Sequence, residues 1–306
     1  MSVFRRNVTA VWGEAGARWL DTLPATLGEV AAGWGLAVGA PYDLTFHFVA
    51  AATTAAGEPV VLKLGVPGGD SLAEESRALA AFGGRGAVRL LRADPGRGAL
   101  LLERAEPGVR ARDVPDAEAT AAVAGVMREL HVPVPHDTAE PLLPDVLGQV
   151  RAFDRHLARF PGDDPLPRAF VATAAGLMRE LCASAPSRVL LHGDLHHDNV
   201  LSAGRAPWLA IDPHGLTGDP GYEIGSWLFN PEPADRDPAL LALVPGRLER
   251  LAELLGQPPD RLVAWGFVKA VLCDVWTAEN WKPGDPRSPA SRALDVAALL
   301  RPRLNR

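Results

Sequence analysis

The chain has 306 residues, 47% hydrophobic and 22% charged, with a formal net charge of −6. That balance describes a folded globular protein rather than a disordered one, and the negative charge argues against generic nucleic-acid binding through a basic surface. Cys182 and Cys273 lie far apart without metal-ligand spacing, and no apolar run reaches the ~18 residues of a membrane helix, so no membrane association is expected.

The first residues carry Arg5 and Arg6 but no following apolar run or small-residue cleavage site. No secretion signal is expected, and a reducing cytoplasm is the expected setting. Residues 8–34 read as helical, because Trp12, Trp19, Leu20, Leu23, Leu27, Val30 and Trp34 recur at helical steps and form one apolar stripe. Asp21 or Thr22, followed by Pro24, predicts a stop and a second start there. Segments 44–51, 59–64, 87–91 and 99–104 are short, β-rich and separated by Gly, Pro and Asp turns. Between the second and third, residues 70–82 predict a helix capped by Asp70 or Ser71, with Glu74 and Glu75 in its first turns, where the helix dipole favours acids. Residues 38–104 are thus expected to form a small antiparallel sheet with one inserted helix.

After Pro107-Gly108 the pattern becomes mainly helical, over 116–131, 144–160, 167–183, 238–255, 258–281 and 288–301. Residues 188–215 interrupt it as strand, polar loop, strand, turn, strand and acidic loop. There are no repeats and no low-complexity tract. The expected class is α+β: a small β-rich N-terminal lobe over 1–105, a connector near 103–108, and a larger, mainly helical C-terminal lobe over 106–306.

The polar loop His192-Gly193-Asp194-Leu195-His196-His197-Asp198-Asn199 is the most informative stretch. Apolar strands on either side fix its ends. Asp194, Asn199 and the later Asp212 can converge at one end of a hairpin. Phosphoryl transfer uses such a set: one carboxylate to take the attacking hydroxyl's proton, and an amide with a second carboxylate to hold Mg²⁺. His192, His196, His197 and Asp198 could instead form a metal cluster, but they lack helical i, i+4 spacing and a nearby cysteine. Of 31 basic residues only Lys63, Lys269 and Lys282 are lysine. Lysine is a compact point charge where arginine is a planar fork, so a site needing the point charge resists drift to arginine.

H-G-D-L-H-H-D-N followed by I-D-P resembles the catalytic and metal loops of the aminoglycoside phosphotransferase family, relatives of the protein kinases. With V-L-K-L-G-V-P (61–67), L-L-E-R-x-x-P-G (101–108), R-E-L-H (128–131) and the stretch from Trp208 to Glu223, it is most similar to the streptomycin 6-kinase and hydroxyurea phosphotransferase branch. The resemblance runs from about residue 40 to 230. It implies a two-lobed, protein-kinase-like fold and an ATP- and Mg²⁺-dependent transfer to a hydroxyl of a small molecule. By that resemblance Asp194 is the catalytic base, Asn199 and Asp212 hold Mg²⁺, and Lys63 touches the ATP phosphates. Glu75, or failing it Glu74, pairs with Lys63. Backbone groups of Glu103, Arg104 and Ala105 meet adenine. There is no G-x-G-x-x-G; the equivalent turn is 39–45, where backbone amides and Thr45 are expected to cover the phosphates.

Asp198 and His214 stand where the streptomycin kinases are expected to carry an aromatic residue and a lysine, which bears on the acceptor. On the 273–281 stretch, Asp274 and Glu279 would attract a cationic acceptor and Trp276 would offer a flat apolar wall; the plainer reading is core tryptophans with a solvated face. His131 reads as a satisfied core or cap histidine, Asp219 as a helix cap, and Glu232, Asp235 and Asp237 as solvated loop. The acceptor expected is a cationic, streptomycin-type aminoglycoside, with hydroxyurea, a sugar or an amino alcohol as alternatives. A pseudokinase would have lost one of Lys63, Asp194, Asn199 or Asp212, and all are present.

Overall fold

The computed structural model describes residues 3–134, 143–282 and 289–304. The chain opens with helix α1 (Val3–Trp34), broken at Gly13, where φ is 54° and ψ is −130°. Such a backbone is open to glycine and strained for any L side chain. The break expected near Pro24 does not occur. Pro24 lies within α1, whose apolar stripe continues across it and buries Trp19, Leu20, Leu23 and Val30.

A five-stranded antiparallel sheet follows: β1 (Leu36–Pro41), β2 (Phe48–Thr54), β3 (Pro59–Leu64), then helix α2 (Asp70–Phe82), β4 (Leu90–Asp94) and β5 (Ala99–Glu103), in the order β1-β2-β3-β5-β4. Two expected strands move. The first begins at Phe48, and 44–47 is a bend instead; its partner β1, rich in Gly and Pro, reads as a turn in sequence but sits at the sheet edge, where a proline is tolerated. The segment expected at 87–91 becomes β4, because Ala87 and Val88 pair with Ala210 of the larger lobe. β3 shows period-2 alternation. Val60, Leu62 and Leu64 join α1 in one apolar cluster, while Val61 packs on the other, larger core. Lys63 shares the Val61 face of the strand, the side on which it meets Glu75 of α2.

The larger lobe contains β6 (Pro107–Arg110), α3 (Asp116–Leu130), α4 (Val150–Arg159), α5 (Arg168–Ala183), β7 (Val189–Leu191), β8 (Val200–Ala203), β9 (Trp208–Ala210), β10 (Leu216–Gly218), α6 (Gly225–Phe229), α7 (Pro238–Ala242), α8 (Val244–Leu255), α9 (Pro259–Ala278) and α10 (Arg292–Leu300). The helix expected over 144–160 begins only at Val150, after a short 3₁₀ turn. The one expected over 238–255 is split, since Pro245 cannot donate to a continuous ladder. The start expected at 288 lies outside the described residues. α9 is the axis of this lobe and is buried along most of its length against α5, α6, α8 and α10. β7 pairs with β10, and β8 lies between β6 and β9, so the loop joining β7 to β8 is held from both sides. Among the described residues no helix is long and apolar enough to cross a membrane.

Gly98, in the β4–β5 turn, has φ of 60°, and a Cβ there would lie 2.4 Å from the Gly65 carbonyl oxygen just beyond Lys63. Gly98→Ala is expected to destabilise the fold by about 2 kcal/mol or more from backbone strain and the clash. Urea unfolding with an unchanged midpoint would contradict this.

Candidate active site

The loop between β7 and β8 is built on a buried carboxylate. Glu223, 2% exposed, accepts the His192 N–H at 2.6 Å and the Gly193 N–H at 3.0 Å. Burial pushes its carboxyl up to about 7, against the pull of these amides. The His192 ring stitches the loop to the strand end beyond β9. Its Nε2 lies 2.7 Å from the Ile211 carbonyl, and its Nδ1 accepts the Asp194 N–H at 3.2 Å. Those partners require a neutral imidazole protonated at Nε2, and burial lowers its pKa to about 4.

Asp194 projects from this braced loop. Its Oδ1 accepts from the Ser226 hydroxyl at 3.1 Å, while Oδ2 faces His196 Nε2 at 3.7 Å and His214 Nε2 at 4.0 Å. Burial would raise its pKa, but His196, Lys269, His214 and His192 together hold the carboxyl below its usual range. It is an ionised carboxylate with Oδ1 anchored by Ser226 and Oδ2 facing two histidine rings.

Lys63 is 3% exposed; its Nζ lies 2.7 Å from Glu75 Oε2 and also binds Asp212 Oδ1. Glu75, not Glu74, is therefore the partner on α2. Burial opposes the lysine's charge, yet Asp212 and Glu75 raise its pKa above the ordinary value. Burial likewise pushes Glu75 up to about 7, with Lys63 opposing. For Asp212, crowding by protein is outweighed by Lys63, which brings the carboxyl down to about 2. Asp212 takes a left-handed backbone, φ 59°, rare for a residue with a side chain.

Asn199 donates its Nδ2 to the Asp194 carbonyl at 3.0 Å, which turns Oδ1 away from that bond. The Ile211 N–H donates to the Asn199 carbonyl at 3.0 Å, so Asn199 and Asp212 are neighbours across the two loops. An amide oxygen and an ionised, half-exposed carboxylate form a small hard donor set that leaves room for phosphate and water, which suits Mg²⁺. The histidines do not offer a second site. His196 Nδ1 accepts the Asp198 N–H at 3.3 Å, and His197 stacks on Trp227 at 3.6 Å. Among the described residues no group of three or more His, Cys, Asp or Glu is arranged to hold a metal.

Several sequence expectations change. The acids read as acceptor-binding are already paired: Asp198 with Arg112 at 3.1 Å, and Glu279 with Arg155 at 2.6 Å. Asp274 is fully buried and accepts from the Ser291 N–H and hydroxyl at 2.9 and 2.7 Å, tying α9 to the start of α10, so it does not face an acceptor. Trp276 is half-buried, its ring 5.1 Å from Lys269 Nζ. Glu103 spends its N–H on the Arg89 carbonyl at 2.9 Å and its carboxylate on Arg205 at 2.8 Å. Thr45 is exposed on the β1–β2 bend. His47, two residues on, is part-buried: burial and Lys63 lower its pKa to about 4, with Asp212 opposing. Its Nε2 lies 3.1 Å from the Ser71 hydroxyl, so Ser71 is not the α2 cap, a position taken by Gly69.

Asp219 does cap, accepting the Gly221 N–H at 2.7 Å while pairing with Arg261. The His131 N–H caps α3, but its ring Nε2 is buried without a hydrogen-bond partner, 3.9 Å from Glu223. Glu232 is not free loop; it shares Arg112 with Asp198. Sequence reasoning missed His47 and Ser226, for which no motif exists, and left Lys269 unexplained although its rarity as a lysine marked it.

A family model described as aminoglycoside/hydroxyurea antibiotic resistance kinase matches residues 44–280. A streptomycin 6-kinase of Streptomyces glaucescens is 33% identical over 300 residues, covering 94% of this chain and 91% of that protein. A hydroxyurea phosphotransferase of Kitasatospora aureofaciens is 33% identical over 293 residues, covering 94% and 82%. A choline/ethanolamine kinase family protein from Mesorhizobium loti shares the fold with a TM-score of 0.62 at 18% identity, covering 94% and 95%. A thermostable mutant of aminoglycoside phosphotransferase APH(4)-Ia, in a ternary complex with ADP and hygromycin B, does so with a TM-score of 0.57 at 18% identity, covering 91% and 96%.

Glu223→Ala would leave the His192 and Gly193 amides buried without an acceptor. A loss of about 2–5 kcal/mol in unfolding free energy is expected, together with faster hydrogen exchange at these two amides. Exchange protection equal to wild type would refute the brace.

Proposed function

This chain belongs to the aminoglycoside/hydroxyurea antibiotic resistance kinase family, and from that premise we propose that it transfers the γ-phosphoryl group of ATP to a hydroxyl of a small, streptomycin-type acceptor. Membership makes it a phosphotransferase. The observation that carries the proposal is the convergence of Lys63, Glu75 and Asp212 beside Asn199, on loops hydrogen-bonded to the one bearing Asp194.

The proposed roles follow from this geometry. Lys63, oriented by Glu75, binds the ATP phosphates with a point charge, and Arg104 and Ala105 lie where adenine would meet the connector. Asn199 and Asp212 would hold Mg²⁺, which when bound neutralises phosphate charge. Asp194, with Oδ1 fixed by Ser226, presents Oδ2 to the acceptor hydroxyl and takes its proton as the phosphoryl group moves in line. Little covalent chemistry is asked of the protein; most of the acceleration comes from positioning and charge. The proposed lobes are 1–105, which brings Lys63 and Glu75, and 106–306, which brings the rest. Free thiols at Cys182 and Cys273 agree with a cytoplasmic setting.

Streptomycin 6-kinases among the relatives and the half-buried Trp276 support an aminocyclitol acceptor. One observation favours a second reading, a smaller uncharged acceptor such as hydroxyurea: Asp198, Asp274 and Glu279 are all committed to partners within the chain. His214, with its side chain 61% exposed beside Asp194, would then be the main polar contact for the acceptor.

ADP release with Mg·ATP against streptomycin, other aminoglycosides, hydroxyurea and sugars separates these readings. Asp194→Ala is expected to lower kcat by about 10³-fold, and turnover that survives it would remove Asp194 as the base. Lys63→Arg is expected to cost a comparable factor, because a planar head displaces the phosphates. EDTA should abolish transfer and excess Mg²⁺ restore it; metal-independent turnover would sink the role given to Asn199 and Asp212.

A further inference from the structure

Lysine is rare in this chain, and the phosphate role accounts only for Lys63. Lys282 is exposed, whereas Lys269, midway along α9, is 2% exposed. Lys269 Nζ donates to the Gly193 carbonyl at 2.7 Å and to the Tyr222 hydroxyl at 2.9 Å, and it sits 4.4 Å from the centre of the Tyr222 ring. Its stem fits because Gly225 has no side chain: a Cβ there would come within 2.2 Å of Lys269 Cβ. Gly193 immediately precedes Asp194, and its backbone is held at both polar groups by buried side chains. Glu223 Oε1 accepts the N–H at 3.0 Å, and Lys269 donates to the C=O.

We propose that Lys269 is a positioning residue for phosphoryl transfer, its ammonium holding the Gly193 carbonyl and so setting the peptide plane from which the Asp194 carboxylate projects. The inference rests on Asp194 being the base. A compact ammonium suits the socket. It reaches a carbonyl and a phenol at once from a narrow stem, whereas a guanidinium would need a wider planar space than Gly225 and Tyr222 leave. Displacements of about 1 Å at a reacting group cost on the order of 10²-fold in rate, which sets the size of the effect.

The test uses the full chain and the ADP-release assay with its best acceptor. Lys269→Met is expected to lower kcat by about 10²-fold while both KM values and nucleotide affinity by calorimetry stay near wild type. Combined with Asp194→Ala it should add no further loss, since Lys269 acts only through Asp194. A folded Lys269→Met with wild-type kcat overturns the proposal, as does weakened nucleotide binding or a multiplicative loss in the double variant, either of which would assign Lys269 to general packing. Tyr222→Phe keeps the ring and removes one lysine partner, which preserves the test if Lys269→Met does not fold. A fall in kcat with unchanged KM is expected there, and unchanged kcat overturns the proposal. Lys269→Arg is expected not to restore the rate, and full activity in that variant contradicts the socket argument. An Asp194→Ala variant as active as wild type would overturn the parent reading and this one with it, an outcome distinct from a silent Lys269→Met.

Discussion

A buried ammonium must be compensated, and in this protein the compensation of Lys63 joins the two lobes. The lysine projects from the central strand of the sheet into a space from which water is largely excluded, where an unpaired charge would be costly. Glu75 supplies one carboxylate from α2 and Asp212 the other from the loop after β9. The first contact keeps α2 against the sheet; the second draws the larger lobe to the smaller one. Because Asp212 is tied through Ile211 to both Asn199 and His192, the same charge pair links the strand bearing Lys63 to the loop bearing Asp194.

That loop is held by further buried polar groups, which share the His192–Ile211 contact with this linkage. Glu223 takes its amides, the neutral His192 ring joins it to the Ile211 carbonyl, and Lys269 reaches its carbonyl from α9. The polar backbone of a tight loop cannot be buried unpaired, so each of these groups answers a specific need. The loop is thereby held at several points along its backbone, which is what the positioning role proposed for Asp194 requires.

Away from this centre the acids and arginines largely neutralise one another. Arg112 bridges Asp198 and Glu232, Arg155 meets Glu279, and Arg236 meets Asp295. An acidic stretch in the sequence therefore did not become an open acidic pocket. What remains beside Asp194 is the exposed His214 and the part-buried His196, and these are the groups to which the proposed acceptor would come.

Local pattern determined the α+β class and the inserted helix, and it singled out Lys63, Asp194, Asn199 and Asp212 as candidates, which the structure brings into neighbouring positions. These positions are marked by residue type and short spacing: a lysine retained against an arginine bias, and a polar loop clamped between apolar strands. Glu75 was expected from the family resemblance with Glu74 left open, and only the structure decided between them, since one residue along a helix turns the side chain by about 100°. The edge strand β1 was not legible, because its Gly and Pro mimic a turn and only pairing with β2 makes it a strand. Nor were Ser226 and His47, or the true partners of Asp198, Asp274 and Glu279. Their roles depend on which side chains from distant segments arrive within hydrogen-bond reach, and a sequence carries no local mark of that. Lys269 lies between these cases: its rarity flagged it in the sequence, but only the packing of α9 against Gly225 and Gly193 decided what its charge holds.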